Sequence, residues 1–226
     1  AGTGITVTPG AGSVTLAASV SIATRICTDF SNSGRFTATG YAAGTVAFTT
    51  VGATLNTAAT ANGGEKLQFS VLAGSGNAEV GTPIFGCQIR LDSKGSDAEW
   101  YGGIGSIATS GTAHTFTQDH HGFKITWAAS GAASLYATQA DGTTETASAA
   151  LATVASGDTV QLLLKVNASS ADYYFRVNNA ALSAATTLTT NMGSGCGTDL
   201  GFSINNRNVA SASSMELIGA NWERHT

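Results

Sequence analysis

The densest group of titratable side chains in the sequence is Asp119-His120-His121, with His114 a few residues before it. Imidazoles and a carboxylate at this spacing could hold a metal or move a proton. Neighbouring residues of a strand point to opposite faces, so His120 and His121 together make a poor clamp. One of them with Asp119 or His114 would be the remaining metal arrangement; the plainer reading is a polar turn entering a strand at Gly122. Asp97 and Glu99 are the next carboxylates, two residues apart and beside a predicted loop at Lys94-Gly95-Ser96. A retaining glycosidase needs two carboxylates about 5–5.5 Å apart, and on one strand that set would appear as E-x-D-x-x-E. No such run is present. There is no G-x-S-x-G nucleophile turn, and Gly102-Gly103-Ile104-Gly105 opens no predicted helix that could cradle phosphate. Asn178-Asn179 and Asn205-Asn206-Arg207-Asn208 supply amide oxygens but too little negative charge for calcium. The sequence therefore predicts no enzyme, no metal and no cofactor. What remains are side chains suited to carbohydrate: Trp100 and Tyr101 for their ring faces, Asn206 for its amide. The competing reading places those aromatics in a core or an interface.

The elements that must position these residues read as strands. Short Thr/Val/Ile/Phe-rich runs alternate with period two and are broken by Gly and Asn. Ile5 to Thr8 and Val14 to Leu16 frame a Pro9-to-Ser13 turn, which predicts an N-terminal hairpin. Lys66 to Leu72 sets Leu67, Phe69 and Val71 on one face. Ile84 to Leu91 opposes Phe85, Cys87, Ile89 and Leu91 to Ile84, Gly86, Gln88 and Arg90. Gly122 to Trp127 and Ser134 to Thr138 are strands, and Asp141-Gly142 predicts a type I′ turn with Thr143 to Ala147 pairing back. Val160 to Val166, with Leu162-Leu163-Leu164 in succession, reads as a strand buried on both faces. Tyr173 to Val177, Leu200 to Ile204 and Met215 to Trp222 complete the set. About ten or more short strands and no helical stripe predict an all-β, antiparallel sandwich or jelly roll.

Composition narrows the partners. Of 226 residues only 11% are charged, and the net charge is −4. That leaves no basic footprint for nucleic acid. The uncharged stretches Ala1 to Thr24 and Phe36 to Gly64 are long enough to span a bilayer, yet Gly, Thr, Ser and Asn fill them, so no membrane segment is predicted. Ala1 fits either a removed initiator Met or an end left by signal peptidase. Cys27, Cys87 and Cys196 are an odd count without zinc or redox spacing; they form three reduced thiols, or one disulfide and a spare thiol.

From about Thr54 onward the order of motifs resembles a concanavalin A-like, or laminin G-like, jelly-roll domain, in the version found in bacteriophage virion proteins. The residues carrying this begin with Leu55-Asn56-Thr57-Ala58-Ala59-Thr60-Ala61-Asn62-Gly63-Gly64. Trp100-Tyr101-Gly102-Gly103-Ile104-Gly105 and Asp119-His120-His121-Gly122-Phe123-Lys124-Ile125 follow. Tyr174-Phe175-Arg176-Val177-Asn178-Asn179 and Leu200-Gly201-Phe202-Ser203-Ile204 close the series. In the family pattern F-x-V-N-G the last position is Gly; here it is Asn179, which also accepts positive φ. The resemblance implies an N-terminal β arm or hairpin over residues 1–28 and a jelly-roll domain over 29–226. It also implies a non-enzymatic structural protein of a phage virion, a capsid decoration or cement subunit packed on the major capsid protein or other virion proteins. A homo-oligomer fits the low surface charge, which lowers the desolvation cost of subunit packing. The alternative is a carbohydrate-binding, lectin-like module or adhesin on a tail fibre or in secreted form, with a surface glycan as partner. The expected location is the virion, or the extracellular medium under the alternative.

Overall fold

A computed structural model describes residues 5–10, 13–18, 23–28, 30, 36–41, 43–50, 52–59, 61, 63–70, 81–93, 97–105, 108–110, 113–127, 132–197, 199–207 and 211–225. In chain order the strands begin with β1 (Ile5–Gly10), β2 (Ser13–Ala18), β3 (Ala23–Thr28), β4 (Thr37–Tyr41), β5 (Thr45–Thr49), β6 (Gly52–Asn56) and β7 (Gly64–Ser70). Then come β8 (Ile84–Ser93), β9 (Ala98–Ile104), β10 (Ala108–Ser110), β11 (Ala113–Thr115), β12 (His120–Trp127), β13 (Ala133–Ala140) and β14 (Glu145–Ala147). The last are β15 (Ala152–Val154), β16 (Thr159–Val166), β17 (Ala171–Val177), β18 (Thr186–Leu188), β19 (Asp199–Asn206) and β20 (Ser214–His225). No helix occurs among the described residues, and none is long and apolar enough to cross a membrane.

Two antiparallel sheets make a sandwich. The front sheet runs β14-β13-β12-β9-β19-β7-β4, with β15 also on β13. The back sheet runs β18-β17-β16-β8-β20-β6-β5, with β3 also on β20. Side chains alternate across each sheet, so one set from each meets in a single core. Trp100, Phe123, Ile125, Trp127 and Phe202 from the front sheet face Phe85, Ile89, Leu164, Leu217 and Trp222 from the back, all essentially buried. Tyr173 ties the layers together: its hydroxyl lies 3.0 Å from Gln139 Oε1 and 3.2 Å from the Thr138 carbonyl. The sequence expectation of an all-β two-sheet jelly roll is what the chain adopts.

Three local expectations change. β16 is buried on one face only; Leu163 stands half-exposed between buried Leu162 and Leu164. The run of three leucines thus serves a core and an outer surface at once. At Asp141-Gly142 only Gly142 has positive φ, at 90°, so the turn is not type I′. Asp141 instead accepts bonds from the Thr143 and Thr144 amides and the Thr143 hydroxyl, at 2.7 to 3.0 Å. The side chain closes a four-residue loop between Ala140 and Glu145 by mimicking a backbone turn. Third, β3 falls within the stretch 1–28 yet pairs with β20 from Ala220↔Thr28 to His225↔Ala23. It follows the β1–β2 hairpin, whose register runs from Ile5↔Ala18 to Gly10↔Ser13.

Candidate functional site

The outer face of the front sheet gathers most of the chemistry-bearing side chains. In register across the strands lie Tyr136, Lys124, Tyr101, Ser203 and Lys66, and in the next row Ser134, Thr126, Glu99, Asn205 and Gly64. Arg207, just past β19, donates from Nε to Asp97 Oδ1 at 2.9 Å and from Nη1 to Glu99 Oε1 at 3.0 Å. Burial pushes the Glu99 carboxyl up, against the pull of Arg207 and Lys124. Lys124 pairs with Glu145 and sits 4.7 Å from the centre of the Phe116 ring. The Asp97/Glu99 pair anticipated from sequence is thus a clamp closed on a guanidinium.

The centre of this face is covered. Phe116 and His120 both pack edge-on against Tyr101, at ring separations of 6.1 and 5.4 Å, and β11 approaches β19 to within 8 Å between Cα atoms. Tyr101 is fully buried, its hydroxyl donating to the Ile104 carbonyl at 3.0 Å. Trp100 is fully buried on the opposite side, inside the core. Asn206 is buried as well and donates from Nδ2 to the Ala58 carbonyl at 2.8 Å. None of the three presents a ring or amide to solvent, so loss of binding in Trp100→Ala would report lost packing. His120 and His121 do point to opposite faces, and both are buried: His120 between the Gln118 carbonyl and Thr138 Oγ1, His121 against the Gly193 carbonyl. No group of three or more metal-ligating side chains occurs among the described residues. Of the cysteines, Cys87 and Cys196 are buried free thiols, and the side chain of Cys27 lies outside the described residues.

Two polar side chains on this face use none of their capacity. Asn205 Oδ1 and Nδ2 and Ser203 Oγ are buried without a hydrogen-bond partner. A buried, unpaired amide carries its full desolvation penalty, about 1–3 kcal/mol, whereas an apolar group of the same shape carries none. Asn205→Leu is therefore expected to raise stability by about 1–3 kcal/mol. The check is the urea midpoint at an unchanged denaturant slope; a lower midpoint would show that the amide contributes.

The open surface is on the other side of the molecule. A groove of about 620 Å³ crosses the outer face of the back sheet, over β17, β16, β8 and β20. Its floor is Gly86 and Gly219, with Leu163, Leu182 and Ile218 as apolar flanks. Ile218 is there because β20 carries a bulge between Leu217 and Gly219, an extra residue that re-aims a side chain onto the surface. A Cβ at Gly86 would fall 2.5 Å from Asn221 Oδ1, so any side chain there must turn the Asn221 amide aside. Leu182 is 53% exposed, the one large hydrophobic so exposed among the described residues. Along one wall run Arg176, Gln161 and Gln88, opposite one another in register. Arg176 donates from Nε to Gln161 Oε1 at 2.6 Å, and Gln161 donates from Nε2 to Gln88 Oε1 at 3.3 Å. Arg176, Gln161 and Asn221 were not singled out as site residues from sequence. The available signal was the alternation of β8 and β16, whose outward set includes Gly86, Gln88, Gln161 and Leu163.

No family model and no curated protein matches the sequence. Solved structures do. Peanut lectin with a 9mer peptide superposes with a TM-score of 0.60 at 10% identity, covering 91% of this chain and 98% of that one. The CBM2 module of Lactobacillus casei BL23 phage J-1 evolved Dit gives 0.60 at 12% identity, over 90% and 96% of the two chains. A structure described as a native glycosidic hydrolase gives 0.59 at 11% identity, over 90% and 97%. At these identities the likeness is one of fold. The chain has a concanavalin A-like jelly-roll fold, the fold also of legume lectins.

Proposed function

We propose that this chain is a non-enzymatic carbohydrate-binding module carried on a bacteriophage particle, with the back-sheet groove as its binding surface. The observation carrying this is the groove itself: open, about 620 Å³, with amide and guanidinium groups that keep free donors beside aliphatic flanks. That volume lies in the range of about 300–1,000 Å³ typical of small-ligand sites. A sugar presents hydroxyls to planar amides and C–H faces to aliphatic side chains, and the glycine floor lets a ring approach the backbone. The phage Dit CBM2 module, of the same fold and extent, supports both the binding role and the particle setting. Closure of the front-sheet carboxylates on Arg207 and Lys124 supports a binding role over a hydrolytic one.

The test is a glycan screen on the folded protein, with Gly86→Leu as the groove-filling control. Gly86 lies in the outward row of β8, so this change fills the floor and turns the Asn221 amide aside without touching the core. Binding is expected in the micromolar-to-millimolar range and about tenfold weaker in Gly86→Leu. No binding of any oligosaccharide would sink the proposal, as would equal binding by Gly86→Leu.

A second reading, a capsid decoration or cement subunit on the major capsid protein, is favoured by the low charge, 11% of residues. In that role the part of the 1–28 arm that precedes β3 docks, while β3 stays with the sandwich of residues 29–226. Because β3 is a strand of the back sheet, the informative truncation stops at residue 22. Release of that truncated chain from particles with the sandwich intact is the outcome this reading requires; retention removes the arm as anchor.

A further inference from the structure

Resting on the glycan reading of the groove, we infer that its ligand carries a carboxylate, as a uronic-acid-containing glycan does, and that Arg176 receives it. Hydrogen-bond sense along the wall carries this inference. A guanidinium can only donate, so Gln161 must turn Oε1 toward Arg176 and therefore Nε2 toward Gln88. Gln88 accepts that bond through Oε1, which leaves its own Nε2 as the free end. The relay is thus fixed in one direction, and both ends still open to the groove are donors: the two Nη atoms of Arg176 and Nε2 of Gln88. Neither end has another partner among the described residues. Asn221, the fourth polar group of the lining, supplies a donating Nδ2 and an accepting Oδ1, both without a side-chain partner among the described residues.

Charge agrees with this donor excess. Arg176 is the sole ionic side chain among the lining residues, and no carboxylate faces it there. The groove thus carries one uncompensated positive charge on a chain whose net charge is −4. A ligand dense in negative charge would meet one cation and a repelling background. A single carboxylate per sugar matches one planar fork, which binds it through two parallel N–H bonds. The remaining ring hydroxyls are left for Gln88 and Asn221, and the C–H face for Leu163 and Leu182.

The experiment compares a tri-galacturonate with its methyl ester, which removes the charge and keeps the sugar. Both are titrated into the wild-type chain, Arg176→Gln and Arg176→Lys, following the Gln88, Gln161 and Asn221 side-chain amide signals. The acid is expected to bind the wild type about tenfold more tightly than the ester, with the advantage shrinking as salt rises. Arg176→Gln should erase the difference between acid and ester, and Arg176→Lys should recover only part of it, since an ammonium lacks the fork. Equal affinity for acid and ester overturns the carboxylate assignment and leaves the glycan reading standing. So does an advantage that survives in Arg176→Gln, or equal competition by inorganic phosphate or a sulfated disaccharide. Failure of both acid and ester to bind, in a chain that remains folded, overturns the inference and counts against the glycan reading too; binding of neutral glycans in the screen then decides the latter alone.

Discussion

Lowering the pH from 6.5 to 4 is expected to remove about 3 kcal/mol of folding stability through His120 alone. The ring is fully buried, and burial pulls its pKa from 6.5 down to about 4. A group whose native pKa is depressed below its unfolded value is neutral in the fold while the unfolded chain binds the proton. The stability is therefore whole above pH 6.5 and is lost as the pH falls through the window toward 4. Burial, not bonding, makes the fold prefer the neutral ring: the bond to Gln118 favours the charged form and is outweighed. Nδ1–H donates to the Gln118 carbonyl at 2.7 Å, and Nε2 faces Thr138 Oγ1 at 3.0 Å. Thr138 has one proton and also lies 2.8 Å from Glu145 Oε1. Protonating Nε2 would complete a chain of donors to Glu145, yet it would place a cation beside Lys124 and His121 away from water. His121 shifts in the same direction, mainly by burial, and adds to the loss. Glu65 and Glu99, raised by burial, act with the opposite sign because acid protonates them more readily in the fold. The decisive measurement is thus the difference between wild type and His120→Gln in urea midpoints from pH 7 to 4. A wild-type curve that stays parallel to the variant across this window would refute the account.

The core was legible because burial on one face forces period-two alternation. Ile84 to Leu91 faces inward at Phe85, Cys87, Ile89 and Leu91 as its pattern requires. Leu162-Leu163-Leu164 misleads because an apolar residue on an open face looks the same in sequence as one in a doubly covered strand. That ambiguity hid the groove, since Leu163 is part of its flank. The short strands β10, β11, β15 and β18 gave no periodic signal, three residues being too few to define one. Trp100, Tyr101 and Asn206 were chosen by residue type alone, and type does not report accessibility. Arg176 is the one cation in a strand rich in aromatics; only register shows that it ends a row of amides.

Gly103→Ala is expected to cost more than about 4 kcal/mol, a magnitude reserved for severe steric or core damage. A Cβ at Gly103 would lie 2.3 Å from the His121 carbonyl oxygen and 2.5 Å from Gly122 Cα, backbone atoms of the neighbouring strand that cannot turn aside. It would also meet Tyr101 Oη at 2.8 Å, and a Cβ at Gly122 would meet Tyr101 Cε2 at 2.7 Å. Gly103 and Gly122 stand opposite each other in register, so β9 and β12 share a track without side chains. The Tyr101 ring lies against it, which is how an outward-pointing tyrosine comes to be fully buried. Its ring replaces the cross-strand packing that paired glycines lack. The Gly-Gly-Ile-Gly sequence is therefore a packing device for an aromatic lid. Gly157→Ala separates space from backbone strain: its φ is 90° and a Cβ there meets nothing within 4 Å, so only about 1–2 kcal/mol should be lost. Urea unfolding of the two variants side by side decides the matter. A Gly103→Ala protein no less stable than Gly157→Ala would mean that β9 and β12 do not approach so closely, and Tyr101 would then need another reason to be covered.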